Sequence, residues 1–191
     1  MNEDTFKEKL QKKLCEELKN YGVKVEKNKN LIYEVIINKN FEFEPNLPKK
    51  PTRGSHAFQT DLLITREDGL PLVVIETKYG GFSTHDVLTY STKAQKHKEI
   101  YPYLRYGLVV GGDEKIYNRF FTHNIGFDFA YVLKDVDDSD SIKDLAEMIK
   151  KQIDNAYLLL DIIFENKNQT KKFNTIIEIE KFNKNEGDKN G

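Results

Sequence analysis

Thr60-Asp61-Leu62-Leu63-Ile64-Thr65-Arg66-Glu67-Asp68-Gly69-Leu70-Pro71-Leu72-Val73-Val74-Ile75-Glu76-Thr77-Lys78 is the stretch whose reading decides the fold. Two apolar, β-branched runs flank Asp68-Gly69, a dipeptide that favours the backbone of a tight hairpin turn. As a two-residue turn it would pair Glu67 with Leu70, Leu63 with Val74, and Asp61 with Glu76. Opposed residues share a face, their β-carbons roughly 4.5–5.5 Å apart. Lys78, two residues past Glu76, shares that face. This register brings two carboxylates and one ammonium together at the open end of one hairpin. Residues 72–75 are uniformly apolar, as in a strand covered on both faces, so the charges that follow emerge beside a core.

Two opposed carboxylates repel each other unless something neutralises them. A divalent cation does so. Oxygen ligands from two acids, with no Cys or His, suit Mg2+, with Mn2+ as a substitute. Such an ion can polarise a phosphate and lower the pKa of a bound water. Lys78 can orient that water, act as its base if its pKa is depressed, or stabilise charge in the transition state. The plainer alternative is an exposed Glu76–Lys78 pair of little energetic consequence.

Downstream, Gly80-Gly81 ends the strand, and Ser83 with Asp86 three residues on predicts a capping box and a helix to about residue 100. Val87, Tyr90, Ser91, Ala94, His97 and Tyr101 would form its inner stripe, and Pro102 stops it. Short strands are expected over 106–110 and 127–133. The acidic loop of Asp135, Asp137, Asp138 and Asp140 then leads into a long helix over about 141–164. A last strand is expected over 175–179. Upstream, Phe6, Leu10, Leu14, Leu18 and Tyr21 recur at helical spacing, which predicts a helix over 5–20 stopped by Gly22. Strands over 31–37 and 41–44 follow, joined by Asn38-Lys39-Asn40. A proline-rich loop runs over 45–56. Strands precede helices in blocks, which reads as an α+β fold with a mixed sheet flanked by helices. The whole of 1–191 is expected to be one domain: a core over about 5–112, strands and a long helix over 113–182, and a frayed tail over 183–191.

The composition bounds the function. Of 191 residues, 38% are hydrophobic and 32% charged, with 12 Phe and 10 Tyr, as in a folded, highly charged globule. The formal net charge of -1 lends no general attraction to nucleic acid. A single cysteine, Cys15, rules out a disulfide framework or a cysteine-ligated zinc or iron–sulfur site within one chain. No signal-peptide pattern and no membrane-length apolar run is seen, so a cytoplasmic location without membrane association is expected.

Asp61 heading one strand and Glu76-Thr77-Lys78 ending the next resemble the PD-(D/E)xK nuclease superfamily, and within it restriction-type domains. The resemblance covers roughly residues 5–112. It implies a restriction-endonuclease-like core and Mg2+-dependent hydrolysis of phosphodiester bonds in nucleic acid, DNA before RNA, by a restriction or defence endonuclease. It further implies metal ligation by Asp61, Glu76 and the Thr77 backbone carbonyl, with Lys78 activating or positioning the water. Thr60 stands where the pattern often has proline, a variable position. The iron–sulfur branch of the superfamily does not fit the single cysteine. A motor-coupled type I subunit would need a translocase, and no phosphate-binding Gly-x-x-x-x-Gly-Lys-Ser/Thr segment is present.

Several supporting residues follow, each with a plainer reading. Many such nucleases use an acid of the first helix, here Glu17 first, with Glu8 and Glu16 as alternatives; otherwise these are a solvated face. Gln95 and Lys96 lie on the helix after the motif, where related nucleases often approach the metal or a phosphate. Lys49, Lys50, Arg53 and His56 make the most concentrated basic loop and would touch a phosphate backbone. His85 near a helix start can meet a phosphate or simply be exposed. Tyr117, Arg119, Phe120, Phe121 and His123 suit either a base-reading loop or a β-connection with core aromatics. A homodimer would suit symmetric double-strand cutting. The rival function is a non-catalytic nucleic-acid-binding or assembly module that retains the nuclease fold.

Overall fold

The structure, a computed structural model, describes residues 1–46, 51–52, 54–165 and 170–180. These form, in order, α1 (Glu3–Glu17), β1 (Val23–Lys27), β2 (Asn30–Ile32), β3 (Ile36–Ile37), β4 (Phe43–Glu44), β5 (Ala57–Gln59), β6 (Leu62–Arg66), β7 (Pro71–Tyr79), α2 (Thr84–Ile100), β8 (Arg105–Gly111), α3 (Asn118–His123), β9 (Phe129–Leu133) and α4 (Ser139–Leu160). A π-helical turn, Asp161–Glu165, follows α4. The fold is α+β. Its five-stranded mixed sheet has the order β1-β6-β7-β8-β9, antiparallel from β1 to β7 and parallel from β7 to β9. Two short ribbons, β2 with β5 and β3 with β4, stand beside it.

The hairpin register holds where the site lies and fails at the turn. Leu62 pairs with Ile75, Leu63 with Val74 and Ile64 with Val73, but a bulge then sets Thr65 opposite Pro71. Pro71 has no N–H to give the ladder, which confines it to the first residue of its strand. The Thr65 hydroxyl is buried without a partner. The turn is closed instead by Arg66 N donating to Leu70 O at 2.8 Å, with Gly69 at φ 92°. The two-residue turn pairing Glu67 with Leu70 is therefore corrected to a wider one.

Strand alternation sends side chains to two cores. On one face Leu62, Ile64, Val73 and Ile75 pack against Phe6, Leu10 and Leu14 of α1 and Leu145, Ile149 and Ile153 of α4. Burying such a side chain fully contributes about 1.5–3 kcal/mol before entropy is counted. Phe6 lies flat against Gly111, where an added Cβ would stand 2.4 Å from its ring. On the other face Leu63, Val74, Tyr106, Leu108 and Val110 meet Val87 and Ala94 of α2. Glu76 has the parity of Val74 and so opens toward α2.

The helix ends follow their caps. Asn2 Oδ1 accepts from Thr5 N at 2.8 Å, which starts α1 at Glu3 rather than at residue 5. Asp138 caps α4 and starts it at Ser139. The Ser83–Asp86 capping box forms as expected. Three elements escaped the sequence reading: β1, paired along the edge with β6; β5; and α3, which occupies the stretch read as a base-reading loop or β-connection. The strands over 31–37 and 41–44 shrink to two or three residues each. The strand over 175–179 is absent: that segment carries no regular structure and Ile177 is 82% exposed. No helix among the described residues is long and apolar enough to cross a membrane.

Candidate functional site

The site forms where β6 begins and β7 ends, because the β6–β7 ladder stops at Leu62–Ile75 while β7 continues to Tyr79 beside β8. In the opening, Asp61 turns its carboxylate into the plane of the sheet. Its Oδ2 accepts from Thr77 N at 2.8 Å and from the Thr77 hydroxyl at 3.0 Å, and its Oδ1 faces Lys7 Nζ of α1 at 3.2 Å. The ladder stops one pair short of Asp61, which fills the position that β6 vacates, and its carboxyl lies within hydrogen-bond reach of Glu76. A strand residue points its N–H and C=O to the same side. The Thr77 carbonyl therefore also faces the Asp61 side of β7.

Glu76 is only 2% exposed. Its Oε1 accepts a 2.6 Å hydrogen bond from the Tyr106 hydroxyl, and Lys93 Nζ stands 3.9 Å from the same oxygen. Burial pushes the Glu76 carboxyl up to about 7; Lys93 and the Tyr106 hydrogen bond pull against that shift, and the nearby Asp61 charge adds to it. Burial, followed by the Glu76 charge, raises Tyr106 well above the usual phenol range, so it remains a donor. Tyr106 is held in turn by His97, whose ring stacks on it at 5.7 Å and whose Nε2 lies 3.1 Å from Leu31 O. Burial pushes His97 down to about 4, so its ring is neutral at physiological pH.

Lys78 shares the Glu76 strand face, but its ammonium turns away. Its Nζ lies 3.4 Å from Glu3 and 3.4 Å from Asp86, and 5.4 Å from the centroid of the Tyr90 ring. Partial burial pulls its pKa down, yet the Tyr90 hydroxyl and the two carboxylates outweigh that and raise it. The option of a Lys78 base with a depressed pKa is therefore corrected: in this arrangement it is a firmly charged ammonium. The cations facing the acid pair are Lys7, at Asp61, and Lys93, at Glu76.

At the acids lies a cleft of ≈ 380 Å³ lined by Ala57, Phe58, Gln59, Asp61, Glu76, Tyr90 and Lys93. A larger hollow of ≈ 510 Å³ sits at the turn end of the hairpin beside Arg66, Tyr103 and Phe164, away from the acid pair. Chemistry, not volume, singles out the smaller one.

The donor set fits one hard cation. A carboxylate offers about four lone-pair directions. Asp61 has given two on Oδ2 to Thr77 and one on Oδ1 to Lys7, leaving one. Glu76 gives one oxygen to Tyr106 and lies within hydrogen-bond reach of Asp61, so an ion held by the pair would take the place of that carboxyl–carboxyl contact. Among the described residues no group of three or more His, Cys, Asp or Glu side chains is placed to hold a metal. The Thr77 carbonyl and water would have to complete the coordination of an ion held by this pair.

The other expected residues scatter. Glu17 lies near the far end of α1, roughly 15 Å along the axis from Lys7; Glu8 faces Lys12 and Lys27, and Glu16 faces Lys19. The acid of α1 that touches the motif is Glu3, through Lys78. Gln95 is exposed on the outer side of α2, and Lys96 pairs with Glu99 at 3.1 Å. His56 pairs with Glu34 at 3.1 Å, while Lys49, Lys50 and Arg53 lie outside the described residues. His85 is exposed with its Nε2 3.4 Å from the Thr89 hydroxyl. In α3, Phe120 is buried and Arg119 donates to Phe82 O at 3.2 Å, which fits core and connection better than base reading. Gly80 and Gly81 take φ of 78° and 111°, and Gly80 N donates to Gly111 O at 2.8 Å, as a strand-to-helix turn requires.

Sequence reasoning missed Lys7, Phe58 and Tyr106 and did not single out Lys93 from its neighbours. The phase of α2 was a usable signal: Lys93 is one turn from Tyr90 and adjacent to buried Ala94. No family model matches this sequence, and comparison with the curated proteins returns no match.

Proposed function

We propose that the chain is a Mg2+-dependent endonuclease of the PD-(D/E)xK type that hydrolyses DNA phosphodiester bonds in a restriction or defence role. The observation that carries this reading is Glu76, buried beside Asp61 in the lining of a cleft that also holds a lysine. Burying a carboxyl beside another acid costs stability, and function is the usual reason such a cost is kept. Asp61, Glu76 and the Thr77 carbonyl are the residues to hold the cation, which when bound polarises a phosphate oxygen and acidifies a water. Tyr106 fixes the orientation of Glu76. Thr77 fixes that of Asp61. Lys93 is placed to meet a phosphate entering the cleft, and Lys78 supplies positive charge behind Tyr90. A homodimer in the cytoplasm is the assembly that this role favours.

A second reading has its own observation. Lys7 and Lys93 already stand against the two acids, as they would in a metal-free binding or assembly module. Plasmid nicking with and without Mg2+ separates the two, using the native chain, Asp61→Ala and Lys78→Ala. Mg2+-dependent nicking lost in Asp61→Ala supports the nuclease. Nicking unchanged by both substitutions removes this site from the reaction, and absence of Mg2+-dependent cleavage of every DNA and RNA form, single strands included, favours the binding module.

A further inference from the structure

The walls of the cleft are aromatic. Phe58 of β5 and Tyr90 of α2 both line it, and Lys93 Nζ lies over both rings, 5.8 Å from the Phe58 centroid and 5.0 Å from that of Tyr90. The Phe58 ring is locked in place. Tyr33 stacks on it with centroids 3.9 Å apart and planes 13° from parallel, and His97 meets it edge-on at 5.9 Å. Neither Phe58 nor Tyr90 is needed to hold the acid pair, for Tyr106 and Thr77 do that.

Two preset rings with an ammonium between them, beside a carboxylate pair, match the parts of one nucleotide. A base has a π-face that stacks on any aromatic ring whatever its sequence, and its phosphate takes a lysine. At ≈ 380 Å³ among the described residues, the cleft lies in the size range of small-ligand sites. Duplex binding draws on many Lys and Arg contacts to phosphate; among the described residues at the cleft, Lys7 and Lys78 are engaged with Asp61, Glu3 and Asp86, and Lys93, over both rings, is the cation nearest a bound nucleotide. We infer that this cleft takes an unpaired nucleotide, so that the substrate class of the acid pair is single-stranded DNA, read by stacking on Phe58 and Tyr90. The inference rests on the nuclease reading above and narrows it.

The test is fluorescence anisotropy of the full chain, with Ca2+ in place of Mg2+. The probes are a labelled oligothymidylate and a blunt duplex of the same strand length. The single strand is expected to bind about tenfold tighter or better, and Phe58→Leu to weaken it on the order of 5- to 150-fold, the loss of one stacked base. Phe58→Trp keeps a ring and should stay close to the native affinity. Because Phe58 also packs on Tyr33 and His97, and Tyr90 is half-buried with its hydroxyl bonded to Lys78, Tyr90→Leu is the second variant, expected to act in the same direction, with Tyr90→Phe, which keeps the ring, expected to stay close to the native affinity. Duplex binding as tight as single-strand binding, or native affinity in both leucine variants, overturns the inference. The two readings fail separately. Ring-dependent strand binding with no Mg2+-dependent cleavage keeps the occupant and removes the nuclease; duplex cleavage indifferent to both rings does the reverse.

Discussion

Lys93 Nζ stands 3.9 Å from Glu76 Oε1, making a residue of α2 the counter-charge of the buried acid at the end of β7. Lys78, nearer to Glu76 in sequence, is drawn instead to Glu3 and Asp86. Lys93 faces Glu76 and Lys78 faces Glu3 and Asp86, so their roles can be tested apart.

Replacing Lys93 by Ala removes the charge that most opposes the upward shift of Glu76. The Glu76 pKa should then rise further above about 7, as read by carbon NMR of the side-chain carboxyl. On the nuclease reading, cleavage should fall on the order of 10²-fold, the typical cost of one lost electrostatic group. Lys93→Arg should recover most of both. A Glu76 titration unmoved in Lys93→Ala contradicts the pairing.

The metal-free protein should lose stability as pH rises. Glu76 goes from an ordinary 4.5 to about 7 on folding. Below about 4.5 both states hold the proton and no penalty exists; between there and about 7 only the unfolded state releases it. The loss is complete once pH passes about 7, and is at most on the order of 3 kcal/mol. Urea melts in EDTA across this window should show the slope, and Glu76→Gln should flatten it. An equal slope in the variant would assign the loss to other groups.

One cation per chain is expected. Asp61 and Glu76 meet within hydrogen-bond reach, so an ion replacing that one contact finds a single set of ligands. Calorimetric titration with Mn2+, checked by the electron-spin signal of free Mn2+, should give a stoichiometry near one that is abolished in Asp61→Asn. Two equivalent sites would overturn the single set.

Gly111→Ala should destabilise the fold by about 1–3 kcal/mol, since the new methyl meets the Phe6 ring and well-packed cores resist added volume. Thermal melts will show it. An unchanged melting temperature would mean that Phe6 can leave the sheet without cost.

Little of the site required long-range knowledge to locate, yet its working geometry did. The pairing of Leu63 with Val74 is local, so the alternation of residues 62–64 and 73–75 and the Asp68-Gly69 turn were enough to place Asp61 near Glu76. The turn itself was misjudged because Pro71 forces a bulge that a simple count of residues ignores. The apolar phase of α1 predicted its buried stripe, but its polar residues are sorted by what they meet: Lys7 meets Asp61, while Glu17 meets nothing of the site.

The sequence by itself determined the α+β order, the β6–β7 hairpin, the two carboxylates at its open end and the capped helix that follows. Each of these is set by neighbours within a few residues, through side-chain alternation, turn chemistry or a cap. Only the tertiary structure decided that Tyr106 of the parallel neighbour β8 donates to Glu76, that Lys93 rather than Lys78 faces it, and that Phe58 walls the cleft. Those contacts join segments that sheet order and helix packing bring together, and their energies depend on burial that no local pattern contains. Glu76 is an ordinary acid in the chain and a strained one in the fold for that reason.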